Sequence, residues 1–137
     1  MSSEEQHATA VLAALNAALA AAPFNGSVTA YDLDDLAEQQ PKPTEYVEVT
    51  IHRRYSESSR ACTDKGVDLW RVTTRYVARA SVTTARNLRD ATRTTLEQAR
   101  LTVGAATTTP VQFETAVPIE QDSEHWYSGL DSWTYAH

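Results

Sequence analysis

Apolar residues recur at helical spacing near the start of the chain. The set with a period of three to four is Val11, Leu12, Leu15 and Leu19, and alanines fill most positions between them. Ser2 or Ser3 precedes this set as a capping residue, acidic residues follow the cap, and Pro23 comes after the set. The pattern therefore predicts an amphipathic helix over residues 3–22.

A second helical pattern lies beyond the middle of the chain. Its buried stripe is predicted to consist of Ala85, Leu88, Thr92, Leu96 and Ala99. Ser81 or Thr83 can cap the N-terminus of this helix, and Gly104 stands where a helix C-terminus favours glycine. We therefore predict a helix over residues 83–101.

Alternation of apolar and polar residues, with β-branched and aromatic content, predicts five strands. They cover residues 27–33, 46–55, 69–80, 111–118 and 127–135. The acidic residues 34–40 are a candidate for one further helical turn, and the polar residues 56–68 are predicted to form an exposed loop. The order of elements predicts a single α+β domain over residues 1–137, in which a mostly antiparallel sheet of four to five strands carries two helices on one face.

The charge of the chain is unevenly distributed. The 137 residues carry a net charge of −6, which as a total argues against a duplex-binding protein. Residues 1–45 hold seven acidic residues and one basic residue, residues 46–101 hold six and eleven, and residues 102–137 hold five and none. A basic middle segment therefore lies between two acidic ends.

The sequence contains no strong signature of catalysis or of metal binding. The four glycines are scattered, so no phosphate-binding loop is expected, and a single cysteine, Cys62, cannot form an intramolecular disulfide. His52 on a predicted strand and the Asp122–His125 stretch are the best candidates for a general base or a ligand cluster. For both, an exposed polar surface is the more probable interpretation, and we expect no catalytic residue, no metal and no cofactor.

Two groups of residues are candidates for a subunit interface. Arg71, Arg75 and Arg79 share one face of a predicted strand, where they suit contact with a neighbouring subunit, contact with nucleic acid, or a solvated face balanced by acids of the same chain. Trp133 and Tyr135 share a face of the last strand, where they suit either the core or burial against another subunit.

Most of the sequence resembles a known family. The resemblance is carried by the run from Trp70 to Ala80, the helix after it with Val103-Gly104, the strand 111–118, the acidic stretch 122–124, and Tyr127-Ser128-Gly129 before an aromatic strand. These features, with the length of the chain and its N-terminal helix, resemble the tail terminator proteins of long-tailed bacteriophages, particularly those that infect actinobacteria.

The resemblance implies a structural virion protein. Such a subunit forms a ring with copies of itself, six in the family, caps the head-proximal end of the tail tube and ends its polymerisation. It then binds the head–tail connector or head-closure protein, and genomic DNA passes through its lumen without specific binding. The resemblance thus implies a virion protein of the tail or neck that is assembled in the host cytoplasm, with no membrane partner and no enzymatic activity.

Three alternatives remain open from the sequence. Within the same assembly, a neck or head-closure ring protein would have similar features. From a different class, a small cone-shaped α+β enzyme or ligand-binding domain would use His52 or residues 122–125 and requires a deep apolar pocket. A nucleic-acid-binding module would use the three arginines and requires salt-dependent DNA binding.

Overall fold

The computed structural model describes residues 3–54, 68–79 and 81–137. In chain order its elements are α1 (Glu4–Leu19), β1 (Thr29–Asp32), α2 (Leu33–Ala37), β2 (Glu45–Arg53), β3 (Leu69–Arg79), α3 (Val82–Leu96), β4 (Thr102–Val103), β5 (Ala106–Thr107), β6 (Gln112–Gln121) and β7 (Trp126–Ala136). The predicted loop over residues 56–68 lies outside the described residues, apart from Asp68.

Five of the strands form one sheet in the order β1-β2-β3-β7-β6, and β4 and β5 form a separate hairpin. The β1–β2 pair is parallel and the other three pairs are antiparallel. The predicted α+β class with a mostly antiparallel sheet is therefore confirmed. Strands β1 and β6 are the two edges of the sheet.

Helices α1 and α3 pack on the same face of the sheet, and the main core lies between the helices and that face. Alternation along the strands explains the composition of the core, because every second residue points toward the helices. On β2 these residues include Val47 and Val49, and on β3 they include Trp70, Val72 and Tyr76, all of which are buried. The faces predicted for these two strands are confirmed.

Helix α1 begins with the capping box expected from its sequence. The Ser3 hydroxyl accepts from the backbone N–H of Gln6, and the Gln6 side chain accepts from the backbone N–H of Ser3. Every fourth residue from His7 to Leu19 is buried, so one stripe of the helix faces the sheet.

The second long helix is shorter than predicted. Ser81 caps α3, but the helix ends at Leu96 and not at residue 101, because Glu97 is extended and Gln98 has a φ of 63°. The chain then turns to hydrogen-bond with Val111, whose N–H donates to the Ala99 carbonyl. Gly104, with a φ of 63°, therefore lies in the β4–β5 turn and not at a helix C-terminus.

The opposite face of the sheet carries a smaller apolar cluster. Leu36 of α2 packs there against Tyr46 and Val77, and Tyr31 and Trp126 border them. Helix α2 therefore covers only one corner of this face. Among the described residues, no helix is long and apolar enough to cross a membrane.

Gly129 on β7 allows a close approach of α3 and β6. A Cβ atom at this position would lie 2.7 Å from Arg89 Nη2 and 2.7 Å from Ile119 Cγ1. We expect Gly129→Ala to lower the free energy of unfolding by about 1–3 kcal/mol, since a tightly packed site must move to admit a methyl group. Urea denaturation measures the change. Ser128→Ala, on the next residue of the same strand, is the control, and an equal effect of the two substitutions would contradict the steric argument.

Candidate interaction surface

The face of the sheet opposite α1 and α3, here called the open face, is polar and partly exposed. Its central residues come from β2, β3, β7 and β6 and include Thr50, His52, Arg71, Thr73, Arg75, Leu130, Ser132 and Val117. This central set includes Arg71 and Arg75, two of the three arginines that the sequence predicted to be interface candidates. The structure therefore places them where a neighbouring molecule can reach them.

Carboxylates of the same chain already bind two of these arginines. Arg71 Nη2 donates to Glu114 Oε1 at 2.7 Å, and Arg75 Nη1 lies 3.6 Å from Glu48 Oε2. Arg79 instead lies over the Trp126 ring, 5.7 Å from its centroid. Because these contacts neutralise part of the charge, the arginine series is less basic than its sequence suggests.

Trp133 and Tyr135 lie on the covered face of β7 and are buried in the core. The Trp133 Nε1–H donates to Thr74 Oγ1 at 3.1 Å, and the Tyr135 hydroxyl lies 2.7 Å from His7 Nδ1. Their aromatic surface is therefore occupied within the subunit, and in this conformation neither ring offers a contact surface to a second copy.

The most polar part of the core is centred on Asp131 of β7, which is 0% exposed. Arg93 of α3 binds its carboxylate with two hydrogen bonds of 2.9 Å, and the Tyr76 hydroxyl donates to it at 2.7 Å. Arg89 Nε lies 3.7 Å from the same carboxylate. Hydrogen bonding to Asp131 raises the pKa of Arg93, and burial raises the pKa of Tyr76, so the Arg93 guanidinium stays protonated and the Tyr76 phenol stays neutral at any physiological pH.

The two arginines also connect α3 to the edge of the sheet. An Arg89 Nη2–H donates to the backbone carbonyl of Val117 on β6. The Arg93 guanidinium lies 5.2 Å from the ring centroid of Phe113, which in turn contacts Trp133 edge-on. The buried carboxylate therefore helps to fix the position of β6.

Strand β6 is unusual among the long strands because nearly every residue in it is exposed. Its pairing with β7 shifts between Phe113 and Thr115 and again between Val117 and Glu120, and Pro118 lies within the second irregularity. Phe113 is 41% exposed and Val117 is 49% exposed. The sequence predicted a strand here but not its exposure on both sides, although a proline within a strand is typical of an edge.

The opposite edge of the sheet also exposes an apolar side chain. Leu33, the first residue of α2, is 58% exposed and follows β1 directly. Leu33 lines two surface clefts, one with the acidic residues Glu4, Glu5, Asp32 and Asp34 and the other with Glu48 and Lys42. Asp32 caps α2 by accepting from the Asp35 N–H. Among the described residues, Asp34, Asp35 and Glu38 form no ion pair.

If the protein were an enzyme or a ligand-binding domain, it would need a deep apolar pocket. Three surface clefts among the described residues can be compared with this requirement. They have volumes of about 320, 260 and 170 Å³, they are open to solvent, and none of the three is lined by His52 or His125. The described part of the chain contains no group of three or more histidine, cysteine, aspartate or glutamate side chains that could hold a metal ion. These clefts do not provide the site that this alternative requires.

The histidines, although distant in sequence, are not all distant in space. His7 stacks on Trp70 with 3.7 Å between ring centroids, and the His137 ring lies edge-on to it at 5.0 Å. The pKa of His7 is lowered to about 4, chiefly by burial and to a lesser extent by His137 and Arg53, whereas Asp68 acts in the opposite direction. The sequence pattern had no signal for this cluster, because its members come from four separate segments.

Comparison with known proteins identifies the fold but no family. No family model matches the chain, and no curated protein matches it. The structure is similar to that of a chain in the solved structure described as the virion of a native gene transfer agent particle. The TM-score is 0.64, the sequence identity is 15%, and the match covers 94% of this chain and 95% of that chain. The likeness therefore extends over nearly the whole of both chains.

Proposed function

We propose that this protein is a structural subunit of a phage-like virion, with no enzymatic activity. One observation carries the proposal: the fold matches, over 94% of the chain, that of a protein from a gene transfer agent virion. The sequence resemblance to tail terminator proteins points to the same class of particle.

Within the virion, the proposed role is that of a tail terminator. Copies of the chain form a ring, six in the family that the sequence resembles, at the head-proximal end of the tail tube. The ring stops tube polymerisation on one side and binds the head–tail connector or head-closure protein on the other. The acidic net charge of −6 suits a ring through which genomic DNA passes without being bound.

The fold also suits a second role in the same assembly, that of a neck or head-closure ring. Both roles require a subunit that associates with copies of itself, and they differ in the neighbour that the ring binds. A terminator binds the open end of a tail tube directly, whereas a neck protein requires the terminator to be in place.

The length of tail tubes polymerised in the presence of the protein distinguishes the terminator role from the neck role. We expect the purified protein to form a ring by native mass spectrometry, alone or on tubes of the tail tube protein from the same particle. Added during tube polymerisation, it should shorten the tubes and appear at one end in electron micrographs. Rings that leave tube length unchanged would favour the neck role. Monomers under both conditions would contradict the proposal.

A further inference from the structure

We infer that the two edges of the five-stranded sheet bind each other between copies of this chain, so that the β6 edge of one subunit contacts the β1–α2 edge of the next. This inference rests on the proposed ring and names the surfaces that form it. A contact between two different surfaces of identical subunits is head-to-tail, and it closes into a ring when the rotation between neighbours allows it.

The first observation is the location of exposed apolar side chains. Leu33, Phe113 and Val117 are the large apolar residues that are most exposed among the described residues. Leu33 lies at one edge of the sheet, and the other two lie at the opposite edge. Apolar groups confined to two opposite edges are expected where each edge is covered by the other edge of a neighbouring copy.

The second observation is that these residues lie at similar heights along the strands. Residues that are paired across neighbouring strands form rows that cross the sheet. The row of Val117 contains Leu130, Arg75, Glu48 and Tyr31. The next row begins at Ala116 and ends at Asp32. Leu33 follows Asp32 and so lies between the heights of Val117 and Phe113. The offset along the strands is about 7 Å or less, since each residue advances about 3.3 Å.

Equal height matters because of the symmetry of a ring. Rotation about an axis that runs roughly along the strands moves a subunit sideways without raising it, so contacting residues must lie at the same level. Two surfaces at different levels would instead produce a helical filament. Leu33 lies one row from the level of Phe113 and two rows from that of Val117, offsets that side chains can span in a ring whose axis runs along the strands.

The third observation is that the charges of the two edges are opposite at this level. Arginines outnumber carboxylates near the β6 edge: Arg54 and Arg71 share Glu114 on the open face, and Arg89 and Arg93 share the buried Asp131 on the covered face. The β1–α2 edge carries Asp34, Asp35 and Glu38, which form no ion pair among the described residues. Complementary charges of this kind select the partner and its register.

The irregular pairing of β6 indicates how the contact forms. Its two shifts of register and Pro118 interrupt the row of outward-facing backbone groups, so a continuous ladder of hydrogen bonds with the next subunit is disfavoured. Side chains at the level of Leu33 and Val117 therefore make the principal contact.

Two substitutions that each block one edge provide the test. We expect Leu33→Asp and Val117→Asp, separately, to weaken self-association by roughly tenfold or more, because each replaces an apolar side chain of the contact with a hydrated carboxylate, which at position 117 also faces the acidic β1–α2 edge. Mixed in equal amounts, the two variants retain one intact contact, between the β6 edge of L33D and the β1–α2 edge of V117D. Native mass spectrometry should therefore find heterodimers in the mixture and no larger species.

Ala13→Glu is the matched control, since it adds a charge at an exposed position of α1 that faces away from the sheet. This variant should leave the ring intact. Circular dichroism checks that each variant is folded.

If L33D and V117D still form rings, the edges are not the interface, although the proposed ring stands. If V117D alone disrupts association, the β6 edge binds a surface other than the β1–α2 edge and the inference is overturned. If the wild-type chain is monomeric with and without tubes, the inference and the proposed function both fail.

Discussion

Asp131→Ala is expected to lower the free energy of unfolding by about 3–5 kcal/mol, the range observed when one partner of a buried ion pair is removed. The substitution leaves Arg93 and Arg89 without the carboxylate that they surround, and the buried Tyr76 hydroxyl loses its acceptor. The affected groups lie on α3, β3 and β7, so the loss reaches across the sheet–helix contact. Urea denaturation monitored by tryptophan fluorescence measures the change.

A surface ion pair supplies the control for this prediction. Glu114→Gln removes the charge that pairs with Arg71, and both side chains are about one-third exposed. Pairs of this kind contribute about 1 kcal/mol or less, because water and salt screen them. If Asp131→Ala costs no more than Glu114→Gln, the buried cluster does not stabilise the fold in the way that its geometry indicates.

Acidification is expected to destabilise the protein through His7. Its pKa is about 4 in the folded chain and 6.5 in the ordinary, exposed state, so the unfolded chain binds the additional proton first. The stabilisation from neutral His7 is complete above about pH 6.5 and is lost as the pH falls from 6.5 to 4. The total loss is about 3 kcal/mol, since each unit of pKa difference corresponds to about 1.4 kcal/mol.

The slope of stability against pH tests this prediction, because carboxylates also titrate at the acidic end of the window. His7→Phe keeps an aromatic ring on Trp70 and removes the titrating group, so the slope between pH 6.5 and 4 should decrease by up to one proton. The matched control is His52→Gln, which removes an exposed histidine that lies outside the cluster around His7. Equal slopes for wild type and His7→Phe would show that folding does not lower the pKa of His7.

The faces of the strands were predictable because alternation is a local property. Val47, Val49 and Ile51 point to the covered side as their spacing requires, and Trp70, Val72 and Tyr76 follow the same rule on β3. The order of elements and the capping of both long helices were local as well. These features were sufficient to predict the α+β class.

The partners of individual side chains could not be predicted, because they depend on pairing between distant segments. Arg71 meets Glu114 only because β6 bulges beside β7, and Arg93 meets Asp131 only because α3 crosses that strand. The same limit applies to Trp133: an aromatic strand face suits a core or an interface equally well. The end of α3 at Leu96 was missed because pairing between Ala99 and Val111 replaces the last predicted turn.

The irregularities of β6 have a consequence for the subunit before it is assembled. A straight, unbroken edge invites pairing with any extended chain, which leads to fibrils and amorphous aggregates. Pro118 removes a backbone donor from this strand, and the two shifts of register bend it away from a flat template. The β6 edge is therefore a poor template for an extended chain, although Phe113 and Val117 on it are exposed.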